Sequence, residues 1–316
     1  MPVLPTFADP KTDFVFKRIF GQPAHKHILC AFINDMLGLT GEQRVVDVQQ
    51  IPADQRLAVP EMKLSIVDVK ATDARGRHFV VEMQVLNVEG FEKRVVYNVA
   101  KAYTQQLRVS EHYPKLSDVV GITICDFELW PHGTTTAPVP MCSLWRMREE
   151  SSGARGLSQL SFAFLELPKY AAGAQPETMI DKWAYFFREA ENLDVVPPAL
   201  AEQPFVEALD VARVARFSTA DWDVYDRSKM AEQDARGMLS LAAKQGEARG
   251  EARGEARGEA RGEARGEARG LRAAIVDLCE VFAIELDASR QAELQQMDLQ
   301  QLEQLRLALK RERRWP

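Results

Sequence analysis

The sequence predicts an α/β fold: a central mixed sheet flanked by helices, with a helical C-terminal extension. Three observations carry that prediction. The stretch Ser65 to Gln84, SIVDVKATDARGRHFVVEMQ, alternates with period two on either side of a tight turn. Asp118 to Phe127, DVVGITICDF, is nearly continuously apolar, as expected of a strand buried on both faces. Segments with helical spacing flank both, giving the order helix, strand, strand, strand, helix, strand.

From Asp13 to about Phe20 the chain reads as a short helix with Phe14, Phe16, Ile19 and Phe20 as its apolar surface. A second helix runs from about Ala24 to Leu37, and Gly38 is its stop. His25 and His27, two residues apart, face different ways on a helix and are not expected to share a metal. Val45 to Ile51 reads as an outer strand and Pro52 to Pro60 as a loop. A long helix from about Phe91 to Val109 has Val96, Ala100, Tyr103 and Leu107 on its apolar side, while Arg94, Lys101 and Arg108 repeat every seven residues with Asn98 and Gln105 between them. This second stripe is either a solvated face or a set of phosphate contacts.

The hairpin carries the chemistry. Val67, Val69 and Ala71 fall on one face of its first strand, with Asp68, Lys70 and Thr72 on the other. In the second strand Phe79, Val81 and Met83 oppose His78, Val80, Glu82 and Gln84. A three-residue loop, Ala74 to Gly76, with Gly76 left-handed, pairs Asp73 with Arg77 and so sets Asp68 directly across from Glu82. Cross-strand Cβ atoms lie roughly 5 Å apart, and two bare carboxylates at that distance repel. Ordinary solvated charges are the bland alternative. Strands this apolar rarely bury unpartnered acids, however, and hard oxygen ligands of this kind suit Mg²⁺ beside a substrate phosphate. The chemistry indicated is metal-assisted phosphodiester hydrolysis. Lys70, two residues beyond Asp68 with its Cα about 7 Å away, is within reach of the same site. It is either a catalytic cation or a surface lysine.

These residues resemble the nuclease core of the PD-(D/E)xK superfamily, and specifically the Rpn family of recombination-promoting nucleases and transposases. The resemblance begins at Asp9-Pro10 and TDFVFKRIFG, passes through AFINDMLGL, IVDVKATD, VVEMQ and KRVVYNVAKAYTQQL, and ends at VVGITICDFELW, covering about the first 130 residues. It implies a restriction-endonuclease-like core over 1–130 and a DNA substrate. It also implies Asp68, Glu82 and the Met83 carbonyl as ligands of Mg²⁺, or alternatively Mn²⁺. Val67 stands where the superfamily name places Pro, and Gln84 where it places Lys. Gln84 would then position the attacking water or the scissile phosphate, Lys70 would supply part of the missing charge, and Arg94, Lys101 and Arg108 would contact DNA. An RNA substrate, or a catalytically idle adaptor that keeps the fold, remains an open alternative.

Composition bounds the rest. The 316 residues are 46% hydrophobic and 27% charged, as in a soluble globular protein, and no apolar stretch approaches the ~18 residues of a membrane span. A cytoplasmic protein is expected. The net charge of −6 argues against a broad electrostatic grip on nucleic acid, yet residues 1–130 hold 15 Lys and Arg against 16 Asp and Glu, which allows a local one. The four cysteines are scattered, without metal or disulfide spacing.

Residues 131–245 read as an extension packed on the core, mostly helical, with strands at Met141 to Arg148 and Leu160 to Leu167. Six GEAR repeats then run from Gly246 to Arg269. Each Gly costs about 1 kcal/mol in a helix and like charges recur at i, i+4, so a spacer of partial helicity is expected, or else a self-association element pairing Glu with Arg of a neighbouring chain. Leu271 to Leu286 and Leu299 to Arg311 read as amphipathic helices that could extend a homo-oligomer contact.

Overall fold

The computed structural model describes residues 5–51, 54–55, 65–107 and 112–316. They form two compact units, Met1–Arg236 and Gly237–Pro316.

In the first unit, α1 (Asp13–Phe20) starts at Thr12, whose hydroxyl accepts the Val15 N–H, and buries Val15, Phe16, Ile19 and Phe20. A 3₁₀ turn over Pro23–His25 leads into α2 (Lys26–Leu37), which stops at the left-handed Gly38. The sheet takes β1 (Val48–Ile51), β4 (Val69–Asp73), β5 (His78–Gln84), β6 (Val119–Cys125), β7 (Cys142–Arg146) and β8 (Leu160–Glu166) in the order β1-β4-β5-β6-β8-β7, while β2 (Asp54–Gln55) and β3 (Ser65–Ile66) pair separately. Strands β5, β6 and β8 are parallel and the other neighbours antiparallel, so the sheet is mixed. It runs through position 130, because β8 lies between β6 and β7.

One face of the sheet is covered by α1, α2, α4 (Met179–Glu189) and α5 (Phe205–Val211), where Phe16, Phe20, Phe32, Trp183 and Phe187 meet Val69, Phe79, Val81, Ile122 and Leu165. Each such side chain contributes about 1.5–3 kcal/mol by leaving water. The other face carries α3 (Phe91–Thr104), whose Val99 and Ala102 pack on Val67, Val80 and Val119. Gly121 lies directly beneath: a Cβ there would sit 2.6 Å from Val99 Cγ2.

The hairpin forms in the expected register, with Val69 opposite Val81 and Thr72 opposite His78. Gly76 adopts φ 81° and Asp73 N–H donates to the Arg77 carbonyl at 3.1 Å. The first strand departs from expectation at its start. It bends at Asp68, β4 begins at Val69, and Val67 joins the α3 side instead of the face of Val69 and Ala71.

The phase of α3 is a second correction. Val96 is 52% exposed, and the buried residues are Phe91, Val95, Asn98, Val99, Lys101 and Ala102. Val95 and Val96 are both apolar, so two stripes compete, and the one made of Phe91, Val95, Val99 and Ala102 is the one that packs on the sheet. Asn98 and Lys101, expected on a solvated stripe, are thereby turned inward. Arg108 lies outside the described residues.

Helix α6 spans Thr219–Val281 and takes in the whole GEAR repeat, against the expectation of partial helicity. Three of every four repeat residues, Glu, Ala and Arg, are strong helix formers, and the glycines meet no steric obstacle. In the second unit, Ile275 and Cys279 of α6, Leu294 of α7 (Ala288–Gln296) and Leu302, Leu305 and Leu309 of α8 (Leu299–Glu312) form a small core. Among the described residues, no helix is long and apolar enough to cross a membrane.

Candidate active site

The site is built where α3 runs back over β5. Side chains at 78, 80, 82 and 84 share the α3 face because strand residues alternate. Glu82, 8% exposed, accepts a 2.6 Å hydrogen bond at Oε1 from Asn98 Nδ2. Two residues along, Gln84 Oε1 accepts from Arg94, and its Nε2 donates to the Leu86 carbonyl at 2.8 Å. One helical turn from Arg94 to Asn98 thus matches one strand period from Gln84 to Glu82.

Asp68 reaches the end of β5 from the bend before β4. It is not a ladder residue, so it is not paired squarely across from Glu82 as the register alone suggests. Its Oδ2 accepts the Met83 N–H at 2.8 Å, and its Oδ1 lies 3.9 Å from the Lys17 ammonium, which also pairs with Asp13 at 2.6 Å. The involvement of Lys17 and Asp13 was not foreseen; their i, i+4 spacing on α1 was the only local signal.

Burial pushes the Asp68 carboxyl up to about 7, with the charges of Asp13 and Glu82 adding to the rise and the Met83 N–H and Lys17 opposing it. Burial likewise raises Glu82, against the Asn98 hydrogen bond and the Arg94 charge. Lys70, opposite Val80, is 8% exposed, and its ammonium is pushed down by burial and then by the charge of Lys101. It is therefore no surface lysine. Lys101 is itself buried, its ammonium 5.5 Å from the Tyr97 ring centroid, whereas Arg94 is exposed. His78, bonded to Thr72 Oγ1 at 3.1 Å, is pushed down by burial and by Lys70.

Among the described residues, no group of three or more His, Cys, Asp or Glu side chains could hold a metal. What the hairpin offers is a pair of acids, one of them held by the Met83 N–H. Glu82 is buried and Asp68 largely so, that burial is the main cause of both rises, and oxygen donors of this kind fit a divalent cation. His25 and His27 do converge, contrary to expectation: both meet Glu207 of α5, at 3.3 and 2.7 Å, because His25 belongs to the 3₁₀ turn and not to the regular helix.

A mixed sheet whose central hairpin ends in two acids and an amide is the arrangement expected of the PD-(D/E)XK fold class. The chain belongs to the PD-(D/E)XK nuclease family of transposases, whose sequence model matches residues 10–242. That match extends well past 130 and includes β7, β8, α4, α5 and the start of α6. No curated protein and no solved structure matches the chain.

Proposed function

We propose that the protein is a metal-dependent DNA endonuclease, acting in recombination or transposition-like rearrangement in the cytoplasm, with Asp68 and Glu82 as ligands of Mg²⁺ or Mn²⁺ and the Met83 carbonyl beside them. The observation that supports it most is the pair of acids at one end of the hairpin, Glu82 buried and Asp68 largely so, within a family of nucleases. A bound divalent cation would supply Lewis-acid charge to the scissile phosphate. Asp68 and Glu82 would hold that charge in place. Gln84, itself held by Arg94, would orient the attacking water or the phosphate. Lys70 would add positive charge from the neighbouring strand, and Arg94 and Arg108 would contact the DNA backbone, whereas Lys101, buried beside Tyr97, is set too deep for the phosphate contact expected of it.

A second reading, an adaptor without catalysis, is favoured by one observation: both polar ends of the Gln84 amide are already engaged. The test is incubation of the purified protein with supercoiled plasmid in Mg²⁺, Mn²⁺ or chelator, alongside Asp68→Asn. Cleavage that needs metal and disappears in the variant supports the nuclease; DNA binding without cleavage supports the adaptor. For the repeat we propose self-association through α6, to be read as molecular mass by light scattering.

A further inference from the structure

We propose that Asn98 is a positioning residue of the candidate metal site, holding one oxygen of the Glu82 carboxylate so that the other is left for the cation. The inference rests on the reading of Asp68 and Glu82 as metal ligands. Asn98 is 2% exposed on the inward side of α3, beside Phe91, Val95, Val99 and Ala102 and one other polar residue, Lys101. An amide at that depth is costly unless it is hydrogen-bonded, and an apolar residue would pack the interface as well. Among its interactions is the 2.6 Å hydrogen bond that its Nδ2 donates to Glu82 Oε1. A free carboxylate turns about its last torsion, which is broad and roughly two-fold, so a donor fixed on a helix removes that freedom. Groups that hold a metal's ligands typically account for about 10–100-fold of metal affinity. Asn98 would act through Glu82 and would touch neither metal nor DNA.

The experiment is Mn²⁺ titration by calorimetry on the full chain, with the melting temperature recorded in chelator and in Mn²⁺. The variants are Asn98→Leu, which keeps the side-chain shape and loses the donor, Glu82→Gln, the double variant, and Val96→Ala on the exposed face of α3 as the control. Asn98→Leu is expected to melt lower than wild type in chelator, because Glu82 loses a buried partner, to weaken Mn²⁺ binding at least about 10-fold, and to lose most of the Mn²⁺-induced rise in melting temperature. In the Glu82→Gln background it should cost nothing more, because its effect runs through that carboxylate. If Asn98→Leu does not fold, Asn98→Ala takes its place in the same cycle. Mn²⁺ affinity within about twofold of wild type, or losses that add in the double variant, would overturn the proposal while leaving the acid pair as ligands. A wild-type chain that binds no Mn²⁺ would overturn both.

Discussion

The two faces of one sheet are built on opposite principles. Toward α1, α2, α4 and α5, the strands present Val69, Ala71, Phe79, Val81, Ile122, Ile124 and Leu165 to a largely apolar core. Toward α3, the same strands present Lys70, Thr72, His78, Glu82, Gln84, Thr123 and Glu166, several of them buried. Only a few of these are needed for packing. Each buried polar group there requires a partner, as Glu82 has in Asn98, and Glu166 in Lys169 and the N–H groups of Leu129 and Trp130. The larger apolar core lies on the first face and the candidate site on the second.

That contrast can be broken by substitution. Glu82→Gln should remove several kcal/mol of transition-state stabilisation, about 10³-fold in plasmid cleavage, while the melting temperature in chelator stays level or rises. Phe79→Ala, on the other side of the same strand, should do the reverse, costing about 3–5 kcal/mol in urea unfolding through the cavity it leaves. Equal unfolding costs for the two would erase the distinction between the faces. Lys70→Met should cost about 10²-fold in turnover with metal affinity little changed, the scale for removing one positioned charge-stabilising donor. Unchanged turnover would leave Gln84 without help from a lysine.

A smaller effect is expected from pH. The folded Asp68 titrates at about 7, above its ordinary 3.8, so between those values the folded chain keeps a proton that the unfolded chain releases. Stability in chelator should therefore fall as pH rises from about 4 to about 7 and then level off. Asp68→Asn should flatten that slope and stabilise the chain at pH 8 by roughly 1–3 kcal/mol; a slope that persists in the variant would assign it to other groups. The smallest change is expected from the repeat. Deleting residues 246–269 should leave intrinsic cleavage within about twofold, since a solvated polar repeat supplies neither core nor catalytic groups. A folded, metal-binding deletion protein that no longer cuts would contradict this.

The hairpin was legible because its determinants are local. Gly76 and the period-two pattern fix the register, and the register brings Asp68 and Glu82 to one end. The phase of α3 was not legible. Val95 and Val96 make two apolar stripes equally available, and what decides between them is the fit of Val99 and Asn98 to β5 and β6. Asn98 and Glu82 are sixteen residues apart with a loop between them, so nothing local pairs them. The bend at Asp68, which moves Val67 to the other face, likewise belongs to the assembled sheet. His25 misled because a 3₁₀ turn rotates successive residues differently from an α-helix. The helicity of the repeat went unread because the glycine cost was weighed more heavily than the propensity of Glu, Ala and Arg.

Gly121 lies in the middle of β6, opposite Val80, yet it governs how deep α3 can sink. With no Cβ in the way, Val99 settles against the strand, and Asn98, its neighbour in the chain, comes within bonding distance of Glu82. Residue 121 is therefore the spacer that calibrates the gap between helix and carboxylate. Anyone seeking to retune this centre without altering its donors would work from beneath, one methyl group at a time.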